Sequence, residues 1–466
     1  MSAADAGVGI VRRTEIPGLL VVELAVRGDN RGWFKENWQR ERMVAAGLPD
    51  FGPVQNNVSF NTATGVTRGV HAEPWDKYVT VASGRVFGAW VDLRPGPSFG
   101  ATVTLELGPD RGVFVPRGVG NAFQTLEDGT AYSYLVNDHW SAAAKDSYTF
   151  VNLADETVAI DWPIPLERAE LSEADRTHPR LAHVRPMPPR PVLLVGAHGQ
   201  LGRSLRAAFP DAVAVGRDEL DLADPASVAA FDLAPYGTVV NAAAYTKVDA
   251  AETPAGRRAA WATNVTGVAA LVEAARRHRA LLVHVSSDYV FDGTREEHPE
   301  DEPFSPLGVY GQTKAAGDAL VSTLPRHLLL RTSWVVGEGA NFVATMAGLA
   351  DRGVRPSVVD DQHGRLTFTD EIVRALVHLL EVDAPAGTYN VSNGGPVQSW
   401  ADIAREVFVL RGRDAGDVTP VSAAEYGAGK QLAPRPQHSA LDLGRLEATG
   451  FVPEDAAVAL RRHLAG

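Results

Sequence analysis

Tyr310 and Lys314 stand four residues apart in V-Y-G-Q-T-K-A-A-G-D, a spacing that puts a phenol and an ammonium on one face of a helix. A lysine cation beside a tyrosine favours the phenolate, and bringing a phenol from about 10 to near 7 takes roughly 4 kcal/mol of differential interaction. Such a pair exchanges a proton with a substrate oxygen while a nicotinamide exchanges hydride with the carbon that bears it. Ser287, at the end of the apolar run A-L-L-V-H-V-S-S, can hydrogen-bond the same oxygen. A second candidate lies far upstream. His71 closes G-V-T-R-G-V-H, and a neutral imidazole is the side chain best matched to removing a proton near pH 7. A lone histidine also suits a purely structural place, so its neighbourhood must decide.

The tyrosine and lysine need a dinucleotide beside them, and the middle of the chain supplies the means. Val192–Val195 reads as a buried parallel strand, followed by glycines at 196, 199 and 202 and then a helix opening near Gln200 and Leu201. Gly196 permits the turn, Gly199 lets the backbone approach a pyrophosphate, and Gly202 lets the helix lie close on the strand. The next strand ends in V-G-R with no acidic residue for a ribose diol, and Arg217 suits a 2′-phosphate. NADPH is therefore the expected cofactor, with NADH possible. Asp221 and Leu222 are expected beside the adenine, and Ala242, Ala243 and Ala244 leave room for the cofactor along the third strand. Strands and helices alternate to the end of the chain, one helix being expected over Arg257 to His278. This predicts an α/β doubly wound Rossmann fold of the extended short-chain reductase type.

The 466 residues exceed one ordinary core and call for several domains. A multi-domain division is expected: 1–184, a proline-rich linker 185–190 within V-R-P-M-P-P-R-P, and 191–466. Residues before the linker form short alternating segments between Gly, Pro, Asp and Asn, the pattern of an all-β sandwich or barrel with one helix around Arg40 to Ala46. The net charge of −13 opposes binding to a phosphate backbone, so no nucleic-acid partner is expected. The absence of cysteine excludes disulfides and thiolate metal sites. No apolar run reaches membrane-spanning length, and the N-terminal residues, which include Asp5, carry no leader-like core; a cytoplasmic protein without a membrane partner is expected. His71 and Glu73 could begin a metal site, but Asn121 stands where a second-strand histidine would be needed, and no metal is expected.

In the first half R-G-W-F-K-E, Q-N-N-V-S, T-R-G-V-H, V-F-V-P-R-G and I-D-W-P together resemble the dTDP-4-dehydrorhamnose 3,5-epimerase family, a cupin-like jelly roll, over about residues 10 to 185. The resemblance implies that His71, held by Asp161, removes protons beside a 4-keto group. It places Lys77 near the enolate oxygen, Tyr134 as a retained family tyrosine, and Arg31, Glu36, Gln55, Asn57 and Arg68 on the nucleotide sugar. Asn121 replaces a family histidine and Trp140 a second tyrosine; an indole N–H is too weak an acid to return a proton as a phenol does. In the second half G-A-H-G-Q-L-G, S-S-D-Y-V-F-D-G, V-Y-G-Q-T-K, R-T-S-W-V and A-P-R-P-Q-H resemble dTDP-4-dehydrorhamnose reductase. That resemblance gives Ser287, Tyr310 and Lys314 their roles at a C4 ketone and adds Asp288, Tyr289 and Trp334 to the sugar site, while Lys247 and Asp249 belong to a structural loop.

Together these imply a bifunctional enzyme that epimerises a dTDP-4-keto-6-deoxy sugar and then reduces it with NADPH. Two further readings stand beside it: a reductase carrying a non-catalytic sugar-nucleotide-binding domain, and an NADP-sensing regulatory protein. Both families commonly form dimers, so a homodimer is expected by analogy.

Overall fold

Alternating burial along the early strands requires a partner sheet to cover one face of each, and two antiparallel sheets meet that need. The computed structural model describes residues 8–141 and 143–465; the N-terminal residues that bore on targeting, Asp5 among them, lie outside these. The chain divides into two compact units, Met1–Pro189 and Arg190–Gly466. Within the proline-rich stretch expected to be a stiff, extended linker, Met187 is buried among Leu93, Leu153 and Leu181 of the first unit, and its N–H donates to Leu93 O.

In the first unit a six-stranded sheet runs in the spatial order Val8–Arg13, Leu20–Leu24, Arg111–Val115, Lys77–Ser83, Thr130–Val136, Gln55–Asn61. A five-stranded sheet runs Thr149–Phe150, Thr67–Ala72, Val119–Thr125, Val86–Asp92, Thr102–Leu107. Val79, Val81, Trp90, Val113, Phe123 and Tyr132 fill the space between them. The helix anticipated near residue 40 spans Arg40–Ala45. A second short helix, Glu173–Thr177, went unforeseen; Ser172 caps it, its hydroxyl accepting from the Asp175 N–H.

The second unit is the expected doubly wound sheet, six parallel strands in the order Val213–Val215, Val192–Val195, Thr238–Asn241, Leu281–Ser287, His327–Thr332, Gly387–Asn390. The strand order reverses direction beside Val192–Val195, which is where such sheets open a crevice at their carboxyl ends. The single helix expected over Arg257 to His278 is three pieces: Pro254–Trp261, a π turn over Ala262–Thr266, and Gly267–His278. The wide turn sends Asn264 inward, where its amide bonds Tyr245 O and Thr313 Oγ1.

Candidate active sites

In the second unit the glycine turn does what its spacing demands. Gly196 has φ +86° and lies so near Ala243 that an added Cβ would sit 2.7 Å from its backbone nitrogen. A Cβ on Gly202 would come within 2.2 Å of Gly196 O, so the helix Gln200–Ala208 rests directly on the turn. Gly202 is thus a packing residue beneath the crevice. Every other residue expected to touch the cofactor, namely Gly196, Gly199, Gln200, Leu201, Arg217, Asp221, Leu222 and Ala242–Ala244, lines one cavity of about 800 Å³.

Ser287, Asp288, Tyr289, Tyr310, Lys314 and Trp334 line the same cavity. Tyr310 and Lys314 come from the helix Val309–Val321, and Ser287 from the carboxyl end of its strand. Tyr289 stands edge-on to Tyr310, ring centroids 5.6 Å apart. Ser287 Oγ donates to Asp288 Oδ1 at 3.0 Å and accepts from the Tyr289 N–H at 3.2 Å. Asp288 is fully buried, and that burial, only partly offset by Ser439 and Ser287, raises its carboxyl to about 6.

Burial pushes the Tyr310 phenol above its ordinary value, with Ser287 opposing the rise and Asp288 and Asp318 adding to it. Lys314 donates to Val285 O at 2.6 Å and is itself lowered by burial to about 8, with Asp318 working against the fall. The cost of desolvating a phenolate exceeds what a lysine engaged elsewhere returns. A protonated phenol is the form a carbonyl reduction needs, because the developing alkoxide must receive a proton.

Sequence reasoning missed the partners behind the lysine. Asp318, one turn along the helix, is buried and receives Arg331 Nε at 3.0 Å. Trp400 was also missed; it stacks on Trp334 at 3.6 Å between centroids and faces the cavity. Arg435 was quoted only within a motif, yet it pairs with Asp249 at 2.9 Å and faces Tyr289. Asp249 sits not in a loop but in the short helix Val248–Ala251, with Lys247 at its N-cap, and also accepts from the Ala433 N–H at 2.9 Å, tying that helix to the segment around Ala433.

In the first unit His71, the base expected, is the last residue but one of the strand Thr67–Ala72, and its carboxylate partner differs from the one expected. Asp175 Oδ1 lies 2.8 Å from His71 Nε2. Asp161 is exposed, because its neighbour Trp162 turns inward to pack in the core and donate to Leu153 O at 2.9 Å. Asp175 is buried, and although burial opposes its ionisation, His178, His71 and Ser172 hold the carboxyl well below the usual range. A carboxylate there only accepts, so His71 Nε2–H donates to it.

Lys77 is buried and paired with Glu73 at 2.8 Å, and its ammonium lies 5.7 Å from the centre of the Tyr134 ring. Burial and Glu73 raise the Tyr134 phenol while Arg68 opposes them, so Tyr134 is a neutral acid. Asn57 sits opposite Tyr134 in register, Gln55 donates to Asn57 at 2.8 Å, and Arg68 donates to Asn61 at 3.1 Å. Asn121 lies across from His71 and accepts from Tyr132 Oη at 3.0 Å, whereas Trp140 is mostly exposed. Tyr148, not singled out in the sequence, stands edge-on to Trp75 and feels both Glu73 and Tyr134.

Arg31 and Glu36 do not join this group. They lie at the hairpin Val26–Asp29/Gly32–Lys35, Arg31 bound to Asp29 and Glu36 to Arg42, and neither bonds to His71, Lys77 or Tyr134. The expectation of no metal rested on Asn121; the structure brings His178 from another element, so that His71, Asp175 and His178 place three ligand-capable atoms within 4.8 Å of one another.

Comparison with known proteins matches both halves. Residues 13–183 fit the model described as dTDP-4-dehydrorhamnose 3,5-epimerase, and residues 190–465 that described as RmlD substrate binding domain. The first half is 53% identical over 181 residues to the "Protein RmlC homolog" of Streptococcus pyogenes, covering 38% of this chain and 91% of that protein. The second is 38% identical over 287 residues to a dTDP-4-dehydrorhamnose reductase of Aggregatibacter actinomycetemcomitans, covering 58% of this chain and 97% of that one. The crystal structure of the Bacillus anthracis dTDP-4-dehydrorhamnose reductase in complex with NADP superposes with a TM-score of 0.54 at 31% identity, covering 59% of this chain and 98% of that one. The chain therefore belongs to two families at once, the dTDP-4-dehydrorhamnose 3,5-epimerases through its first unit and the RmlD substrate binding domain family through its second.

Proposed function

We propose that this chain carries out two successive steps on one sugar nucleotide. The first unit epimerises dTDP-4-dehydro-6-deoxyglucose at C3 and C5, and the second reduces the C4 ketone of the product with NADPH to give dTDP-L-rhamnose. The observation that carries the reading is the gathering of Ser287, Tyr310 and Lys314 in the cavity that also holds the glycine turn. The order follows from the chemistry, since protons beside a ketone are acidic only while the ketone lasts.

In the first unit His71 Nδ1 takes the proton, Asp175 stabilises the imidazolium, the Lys77 ammonium stabilises the enolate oxygen, and Tyr134 returns a proton. In the second the residues lining the turn and the sheet ends would hold NADPH, which supplies the hydride; Tyr310 gives its phenolic proton to the new alkoxide and Ser287 orients that oxygen. The test is to incubate the full chain with dTDP-4-dehydro-6-deoxyglucose in D₂O. Deuterium entering C3 and C5 without NADPH, and NADPH loss once it is added, support the reading; NADPH loss only with already epimerised substrate contradicts it.

NADPH is preferred over NADH in this proposal because Arg217 lines the cavity, is mostly exposed and is only loosely paired with Asp221, at 3.9 Å. Arg217→Ala should raise KM for NADPH about tenfold, the worth of one charge-assisted contact, and leave KM for NADH unchanged, as initial rates will show.

The reductase rate should rise through about pH 6 and fall through about pH 8. Below the first, Asp288 takes a proton and its neutral carboxyl accepts from Ser287 more weakly; above the second, the Lys314 ammonium gives up its proton and its positive charge is lost from the site. A kcat profile of NADPH oxidation on pre-epimerised substrate checks both limbs.

The chain forms a homodimer in this proposal. Trp33 and Phe34 on the hairpin, and Val58 and Phe60 on the edge strand Gln55–Asn61, are exposed and need cover. A second copy would also bring Arg31 and Glu36, which stand apart from their own chain's His71 group, to a site that lacks them. Phe34→Asp should halve the mass in sedimentation and slow C3/C5 exchange.

A further inference from the structure

Asp175 Oδ1 faces two imidazoles. His71 Nε2 approaches it to 2.8 Å with hydrogen-bond geometry, and His178 Nε2 lies 3.3 Å from the same oxygen. That second nitrogen is buried and has no hydrogen-bond partner in this arrangement, so it is close to the carboxylate yet not aligned with it. The ring has little freedom to turn elsewhere. It lies flat on Phe150, with centroids 4.5 Å apart and planes 13° from parallel, and edge-on to His71 at 5.4 Å. Its backbone is held as well, since Asn152 Nδ2 donates to His178 O at 3.0 Å at the end of the helix that carries Asp175.

A buried ring nitrogen next to a buried carboxylate satisfies itself by a small rotation that turns its N–H onto the oxygen. A carboxylate oxygen accepts two such bonds without losing the first. We propose that His178 is a positioning residue for the His71 base: its Nε2–H closes onto Asp175 Oδ1 and keeps that oxygen aimed at His71 Nε2, so that Nδ1 remains the bare, proton-accepting nitrogen. The proposal rests on the epimerase reading of the first unit. His178 does not touch the reacting sugar in this scheme; it acts through Asp175, as the outer partner of a histidine–carboxylate pair.

The experiment follows C3 and C5 deuteration of dTDP-4-dehydro-6-deoxyglucose by the full chain in D₂O without NADPH, in wild type, His178→Phe and His178→Gln. Phenylalanine keeps the stack on Phe150 and removes the donor; glutamine restores a donor. His178→Phe should lower kcat about tenfold with KM changed by less than about twofold, as for the loss of an outer partner that orients a histidine. His178→Gln should recover most of that loss, and NADPH-dependent reduction of pre-epimerised substrate should be the same in all three. The proposal is overturned if His178→Phe exchanges as fast as wild type, or if both variants lose kcat and KM alike, which is what a packing role alone would produce. A wild-type chain that reduces pre-epimerised substrate but exchanges nothing overturns the epimerase reading itself.

Discussion

Tyr310→Phe should cut NADPH-dependent reduction of the C4 ketone by about 10³-fold and leave C3/C5 exchange untouched. The phenol lines the same cavity as Ser287, and its burial keeps it protonated until an alkoxide forms beside it. Phenylalanine retains the ring and its edge-on contact with Tyr289, so the loss is one of chemistry and not of packing. The effect should fall on kcat, because the proton is needed in the transition state and not for binding. Initial rates of NADPH oxidation check this, with NADPH titration showing cofactor affinity retained. A loss smaller than about tenfold would mean that another group, or solvent, delivers the proton.

His71→Asn should abolish deuterium entry at C3 and C5, a loss of about 10³-fold, while reduction of pre-epimerised substrate continues at the wild-type rate. The same assay separates the two carboxylates. Asp175→Asn should lose most of the exchange, because a neutral amide neither fixes the imidazole tautomer nor stabilises the imidazolium. Asp161→Asn should behave as wild type, since its side chain points to solvent. Equal effects of the two would contradict the pairing at 2.8 Å.

That contrast shows where sequence pattern stops. The glycine turn, the Tyr–Lys spacing and the strand-end serine are local features whose backbone geometry is dictated by neighbours a few residues away, and each lies where the sequence put it. The alternating strands of the first unit were legible for the same reason. Asp175 was not, because it meets His71 across 104 residues and sits on a five-residue helix that no periodicity announces. Asp161 was chosen from a motif in which the buried residue is the tryptophan beside it. Asp318 was missed because a carboxylate one turn beyond Lys314 carries no mark of burial in the sequence; both residues are buried, and only the fold brings Arg331 to Asp318. The π turn at Ala262–Thr266 left no mark in a helical pattern that continues through it.

The joining of two successive reactions in one polypeptide is tested most directly by the product formed in D₂O. Full-length protein, dTDP-4-dehydro-6-deoxyglucose and NADPH, with no other enzyme present, should yield dTDP-L-rhamnose carrying deuterium at C3 and C5 and protium from NADPH at C4, one NADPH consumed per sugar. A product of unchanged C3 and C5 configuration without deuterium there, formed at the expense of NADPH, would contradict it and leave the second unit as a reductase acting alone.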